Sequence, residues 1–432
     1  MWFLYNIAFV TGYTLLLPYF AFRMIRRGGY RTGFLQRFGA YDEATRLKLG
    51  SREYTWIHAV SVGEVNVALS YMAVLRAREP EAAFVITTNT PTGRAVAAKG
   101  ITDADVLLYF PVDLPWIIRR VLDQFTPRAL LLVESEVWPN LIRQLNARGR
   151  PIAVVNGRMS KSSYRGYSRL KPFVVRTLQL IDAFLVQTES DREHFAALGA
   201  RDIRVMGSAK YDIASTRELG SGQAEAFLDS LGIDPNARIV VGGSTWPGEE
   251  DVLLECLAAL KPGVQDLKLV LVPRHAERAA DVEKSILKRA FNYVRKSRVG
   301  PVGTAAADNP DVILVDTTGE LVDFYSVATV VFVGKSLLNE GGQNFIEPAC
   351  LGRAVVVGPH LENFPVIAED FQSADAFVQV KDPGELESAL RRLLTDEQER
   401  SGFGNRARKL VASRSGVVAR SIDVIETLLA DA

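Results

Sequence analysis

Apolar runs of strand length, each trailed by a helical pattern, recur along most of the chain, and this rhythm leaves few folds open. The first series is YTWIHAV (54–60), AFVITT (83–88), DVLLYFP (105–111), ALLLVES (129–135), PIAVVNG (151–157), AFLVQT (183–188) and IRVMG (203–207). Near-continuous apolar runs are what strands buried on both faces look like, and the helical stretches between them are the crossovers that parallel neighbours require. Residues 212–225 (DIASTRELGSGQAE) are small and polar and break the rhythm. A second series follows: IVVGGST (239–245), LKLVLVPR (267–274), VILVDT (312–317), TVVFVG (329–334) and AVVVGP (354–359), with helices alone from about residue 383. At 432 residues the chain also exceeds what one core usually serves. The pattern predicts an α/β protein with two Rossmann-like domains, 28–212 and 226–395, joined by a linker at 213–225, facing each other across a cleft and ending in helices over 396–432. Ser190 to Glu193 reads as a capping box opening a helix that ends near Gly199.

The first 27 residues stand apart as a membrane anchor. Trp2 to Phe22 carries no charge and is rich in Leu, Phe and Tyr, just long enough to cross a bilayer. Arg23, Arg26, Arg27, Arg31 and Arg37 precede the first acidic residue, Asp42, so the positive-inside rule puts the body of the protein in the cytoplasm. A signal peptide would carry its positive charge before the apolar stretch. Asn6, Thr11, Gly12, Thr14 and Pro18 interrupt the span, which leaves a helix lying in the membrane surface as the alternative. Elsewhere charge is balanced, 51 Lys+Arg against 50 Asp+Glu, without the basic excess of a nucleic-acid binder. Cys256 and Cys350 sit in apolar contexts without metal or redox spacing and read as buried thiols, and the four histidines are scattered.

Ligands of an open α/β sheet bind at the carboxyl ends of its strands. Glu64 closes WIHAVSVGEV (56–65), where a strand hands over to a helix. A lone Glu there would simply answer the helix dipole. Glu64 is not alone, because TTNTPTG (87–93), VESEVWPN (133–140), NGRMS (156–160) and SAKYD (208–212) end apolar runs at the same sheet edge. In the second half PRH (273–275), TTGEL (317–321) and GGQNFIEPA (341–349) follow strands in the same way. Arg274 suits a phosphate. Gly319 lets backbone approach a ligand, and a helix beginning near Asn344 would offer an anion site with Glu347 one turn inside. No P-loop lysine pattern and no strand-linked G-x-G-x-x-G occurs. Asp103 and Asp105 form an Asp-x-Asp before a strand and read as a solvated turn, so no metal is expected. Glu136 is expected to project away from Glu134 in a structural role, Trp138 reads as a core anchor, and Pro139 suits a first helical turn.

Together HAVSVGE, TTNTPTG, ESEVWPN, NGRMS, GSAKYD, PRHAER, TTGEL, GGQNFIEP and GPHLENF resemble, in order, the motifs of the Kdo transferases, the 3-deoxy-D-manno-octulosonic acid transferases of lipid A glycosylation. The resemblance runs from the N-terminal anchor to about residue 370. It implies the GT-B architecture and transfer of Kdo from CMP-Kdo to a lipid A precursor, with inversion, at the cytoplasmic face of the inner membrane. It implies no cofactor beyond the donor substrate and no nucleic-acid partner. Matched position by position, Glu64 corresponds to the general base, and Glu134 and Lys210 to transition-state stabilisation. Pro273, Arg274, Thr318, Gly319, Glu320, Asn344, Phe345, Ile346 and Glu347 correspond to the CMP-contacting segments. Gln343, Lys335 and Trp246 depart from the family's usual His, Gly and His. The rival readings are another GT-B enzyme using a different nucleotide sugar, and a catalytically dead, membrane-tethered carbohydrate-binding protein.

Overall fold

The structure, a computed structural model, describes residues 2, 3, 5–7, 9–12, 14, 15, 33–216, 222–299 and 309–430. The chain divides into two compact units, Met1–Ile213 with Gly416–Ala432, and Ala214–Ser415. Every apolar run named above forms a strand.

Unit one carries β1 (Thr55–His58), β2 (Phe84–Thr88), β3 (Val106–Tyr109), β4 (Ala129–Val133), β5 (Ile152–Gly157), β6 (Ala183–Val186) and β7 (Ile203–Val205). They form one sheet in the order β3-β2-β1-β4-β5-β6-β7, with every pairing parallel. Successive residues of a strand face opposite sides, so β4 sends Leu130 and Leu132 into one core with Trp56, Val85 and Phe184. Its Leu131 and Val133 enter the other core with Ile57, Ile86 and Leu185. Both faces are therefore covered, which is why these strands read as continuous apolar runs.

Unit two repeats the plan with β8 (Arg238–Thr245), β9 (Leu267–Pro273), β10 (Tyr293–Arg295), β11 (Val312–Leu314), β12 (Val330–Val333), β13 (Ala354–Val357) and β14 (Val378–Gln379). Their order is β10-β11-β9-β8-β12-β13-β14, again all parallel. The outermost strands β10 and β14 carry no sequence signal, being two or three residues long at the sheet's edges.

Several boundaries differ from expectation. The segment 396–432 divides at Gly416: helix Glu397–Arg414 belongs to unit two, whereas helix Val417–Ala430 packs on helix Val62–Arg78 of unit one. Of the 213–225 linker, residues 217–221 lie outside the described residues, and its flanks are helical, in Lys210–Thr216 and Gln223–Ser230. The capping box lies two residues earlier than expected: Thr188 and Asp191, not Ser190 and Glu193, exchange side-chain and backbone bonds ahead of helix Glu189–Ala197. Thr188 wins because β6 has ended and its backbone is extended (φ −136°), the conformation an N-cap needs. Asp105 is no solvated turn residue. It is 2% exposed and bonds the Arg76 guanidinium at 2.7 and 2.9 Å and the Phe84 and Thr102 amides.

At the amino end, Tyr5 Oη donates to Asp113 Oδ2 (3.0 Å), Asn140 Nδ2 donates to Asn6 Oδ1 (2.8 Å), and Tyr5 stacks on Phe173. No helix among the described residues is long and apolar enough to cross a membrane. Residues 16–32, which include the latter part of the expected anchor, lie outside them.

Candidate active site

In unit one the strand order reverses between β1 and β4, and such a switch point is where open α/β sheets bind ligands. Glu64 follows β1 and Glu134 follows β4. Ser61 caps helix Val62–Arg78, accepting from the Glu64 amide, while Glu64 Oε1 accepts from the Ser61 amide (3.2 Å) and Oε2 from the Val60 amide (2.8 Å). The helix-start reading of Glu64 is thus correct as far as it goes. A carboxylate has about four acceptor sites, however, so lone pairs remain for a substrate. The same loop is fastened to the TTNTPTG segment, whose Thr88 and Thr90 hydroxyls both donate to the Val60 carbonyl.

Glu134 sits in the left-handed region, φ 63°, its amide bonded to the Val155 carbonyl. For a residue with a side chain this conformation is costly and is typical of sites where geometry serves a function. Burial raises its pKa, and Glu64 raises it further, while Lys210 and Arg158 pull it down. The Lys210 ammonium is in turn lowered by burial and by Arg158, against the favourable charge of Glu134. Glu134 and Lys210 therefore feel each other and Arg158, and Glu134 feels Glu64 as well, in a half-buried patch of carboxylates and cations at the strand ends. Such mutual perturbation marks functional sites more often than solvated surface.

Asn156, the first residue of NGRMS, holds this patch together, a role that its place in the motif does not announce. It stands at φ 51° one residue before the end of β5, and its Oδ1 accepts from the Ala209 amide (3.0 Å), which fixes the backbone just before Lys210. Two residues on, Asp212 accepts from the Gly416 and Val418 amides and ties the C-terminal helix to the same motif. Glu136 does not turn away: residues two apart in a strand share a face, and β4 has in any case stopped at Val133. It lies near enough to raise the Glu134 pKa, accepts from Trp138 Nε1 (3.1 Å) and stands 3.8 Å from His58 Nε2. Trp138 packs against the core beside Phe110, and Pro139 opens the next helix.

In unit two the segments expected to contact a nucleotide also lie at carboxyl ends of strands. Pro273 ends β9, and Arg274, which follows it, is exposed. Thr318, Gly319 (φ 95°) and Glu320 follow β11, with Glu320 paired to Lys296 at 2.7 Å and accepting from Thr317. The helix expected near Asn344 is a single short turn, Ile346–Cys350, with Asn344 Oδ1 accepting from the Ile346 amide. Phe345 and Ile346 are fully buried, and Phe345 packs among Phe364, Phe371 and Phe377. Their side chains belong to the core, so only their backbone is offered to a ligand. Glu347 is buried beside them, and its charge adds to the burial that holds the Tyr325 pKa up.

A family model described as 3-deoxy-D-manno-octulosonic-acid transferase (kdotransferase) matches residues 32–213. The chain is 30% identical to the 3-deoxy-D-manno-octulosonic acid transferase of Haemophilus influenzae over 99% of both chains. To that of Bordetella pertussis it is 32% identical over 87% of both. At the level of fold it is similar to UDP-GlcNAc 2-epimerase from Neisseria meningitidis (TM-score 0.59, 15% identity, 87% of this chain and 99% of that one), an architecture of two Rossmann-like domains. Similarity that runs end to end, over a chain folded as two parallel-sheet units, makes this protein a member of the 3-deoxy-D-manno-octulosonic acid transferase family.

Proposed function

We propose that this transferase moves Kdo from CMP-Kdo to a lipid A precursor (lipid IVA), with inversion at the anomeric carbon and without a metal, on the cytoplasmic side of the inner membrane, where residues 1–27 tether it. The observation that carries the reading is that Glu64 and Glu134 follow the adjacent strands β1 and β4 at the switch point, with Glu134 within electrostatic reach of Glu64, Lys210 and Arg158.

In a direct displacement the acceptor hydroxyl oxygen bonds to the anomeric carbon as the bond from that carbon to the CMP phosphate oxygen breaks. Glu64 takes the hydroxyl proton, a role worth about a hundred- to ten-thousand-fold in rate. Glu134 opposes the positive charge that builds on the sugar ring, and Lys210 meets an anionic group, the Kdo carboxylate or the phosphate. CMP leaves as an anion, and Arg274 with the backbone amides of the Gly319 and Asn344 segments is suited to hold it. Glu347 would take ribose hydroxyls. Ser160, two residues after Arg158 in NGRMS, caps helix Lys161–Arg169.

The test is transfer by the purified protein with lipid IVA, CMP-Kdo generated in situ and EDTA, read as the mass of the lipid and the anomeric configuration of the new linkage. Mass increments of Kdo in EDTA with inverted configuration are expected. Transfer only from another nucleotide sugar would replace the donor, and binding without transfer would favour a dead carbohydrate-binding protein. Glu64→Gln should lose about a hundredfold or more in kcat while still binding CMP; unchanged turnover would remove Glu64 from the chemistry.

A further inference from the structure

The second sheet has its own switch point, between β8 and β12. The two side chains that leave those strand ends touch: Lys335 Nζ lies 4.6 Å from the centre of the Trp246 ring. The backbone beneath them is built for this meeting. Glu249, 0% exposed, accepts from the amides of Trp246 (2.9 Å), Lys335 (2.8 Å), Ser336 (3.1 Å) and Leu337 (3.1 Å), so one carboxylate clamps both strand ends. Burial pushes the Glu249 pKa up, and the four amides pull against that. Gly334 lets the strand ends close, since a Cβ there would stand 2.5 Å from the Ser244 carbonyl oxygen. Ser244 (φ 52°) and Lys335 (φ 56°) are both left-handed, like Glu134 at the other switch point. Two residues with side chains held in this conformation at one ligand-binding position are a cost that function explains.

The surroundings give the ammonium a direction. Lys335 Nζ lies 3.1 Å from where a Cβ on Gly341 would be, so it overhangs the loop that leads through Gln343 to Glu347. On the other side Trp246 meets His275 edge to face, with ring centroids 5.8 Å apart, next to Arg274. Among the described residues Lys335 makes no ion pair. Of the carboxylates on the flanking segments, Glu249 is held by four amides and Glu362 by the Gly341 amide and His360, while Glu340 is exposed and makes no ion pair with Lys335. A cation held on an aromatic face at a switch point, with no carboxylate to neutralise it, is a receptor for an anionic oxygen.

We propose that Lys335, positioned by Trp246 and by the Glu249 clamp, is a donor-recognition residue that binds an anionic oxygen of the nucleotide-sugar donor. Two sources share that chemistry, the nucleotide phosphate and the carboxylate of the sugar acid. The inference rests on reading unit two as the donor-binding half.

The test compares wild type with Lys335→Met, Lys335→Arg and Lys335→Gly. Gly prefers the left-handed backbone, so Lys335→Gly removes the ammonium while keeping or raising the melting midpoint. Affinities for CMP and for cytidine are measured by calorimetry, and KM and kcat for the donor by the transfer assay. If the partner is the phosphate, Met and Gly weaken CMP about tenfold and leave cytidine unchanged. If it is the sugar carboxylate, CMP affinity holds and donor KM rises by about the same factor with kcat nearly constant. Lys335→Arg recovers most of the loss in either case. Wild-type CMP affinity and donor KM in a folded Lys335→Gly protein would overturn the proposal. Wild-type protein that binds CMP but transfers no Kdo would overturn the functional reading alone; Lys335 is then judged by the affinities for CMP and CMP-Kdo, and a Lys335→Gly protein that binds both as wild type does would overturn the proposal. Protein that binds no nucleotide would overturn both.

Discussion

Single residues carry two kinds of charge here, and their environments separate them. Asp105 is buried against Arg76 and two amides, an arrangement whose loss is expensive because the remaining partner is left uncompensated. Asp105→Ala should destabilise unit one by about 3–5 kcal/mol, read from the denaturant midpoint at constant slope; a change under about 1 kcal/mol would show that water replaces the carboxylate. The charges at the β1/β4 switch are tuned instead of locked. Because Lys210 lowers the Glu134 pKa, Lys210→Met should raise it. If Glu134 must be ionised for transfer, the acid limb of the pH–rate profile then moves to higher pH, and an unmoved limb would take Glu134 out of that role.

Among the elements, helix Pro139–Asn146 shows how a distant residue sets a local start. Its N-cap, Trp138, offers no side-chain acceptor, and Asp113 serves in its place, Oδ2 accepting from the Asn140 amide and Oδ1 from the Leu141 amide, both at 2.9 Å. Asp113 is fully buried, and burial raises its pKa to about 6 despite these bonds and those from Tyr5 and the Asn140 side chain. The folded protein thus holds the proton more tightly than the unfolded chain, whose Asp titrates near 4. Stability from this group is fully present below pH ~4 and is lost as pH rises through about 6. Wild-type stability measured against Asp113→Asn should therefore fall across that window, and a flat difference would place the folded pKa near the unfolded one. Since Tyr5 and Asn6 join this network, it also fastens the amino-terminal segment to unit one.

At the scale of the whole molecule the chain crosses between units twice, at Ile213 and again at Gly416. The last helix returns Val418, Ile422 and Ile425 to a core they share with Val65, Tyr71 and Met72, while Arg78 bonds Asp423 and Glu426. Deleting residues 416–432 should thus uncover helix Val62–Arg78, which carries Glu64. Hydrogen exchange in 62–78 should accelerate by at least an order of magnitude while β8 to β13 keep their protection; equal loss in both units would mean that the helix supports them alike.

Local composition determined the alternation of strands and helices, the two parallel sheets and the placing of Glu64, Glu134, Lys210 and Arg274 at strand ends. It can do so because a strand buried on both faces must be apolar throughout, and because chemistry-bearing residues appear where such a run stops. Tertiary structure alone decided that β1 lies beside β4 and β8 beside β12. The bonds between strands are made by main chain, so side chains do not announce their neighbours, and only that order brings Glu134 within electrostatic reach of Glu64 and Lys335 onto Trp246. The same reason hides the short edge strands β10 and β14, the burial of Asp105, Phe345 and Ile346, and the return of helix Val417–Ala430. Each depends on what is brought to cover it, which no stretch of sequence states about itself.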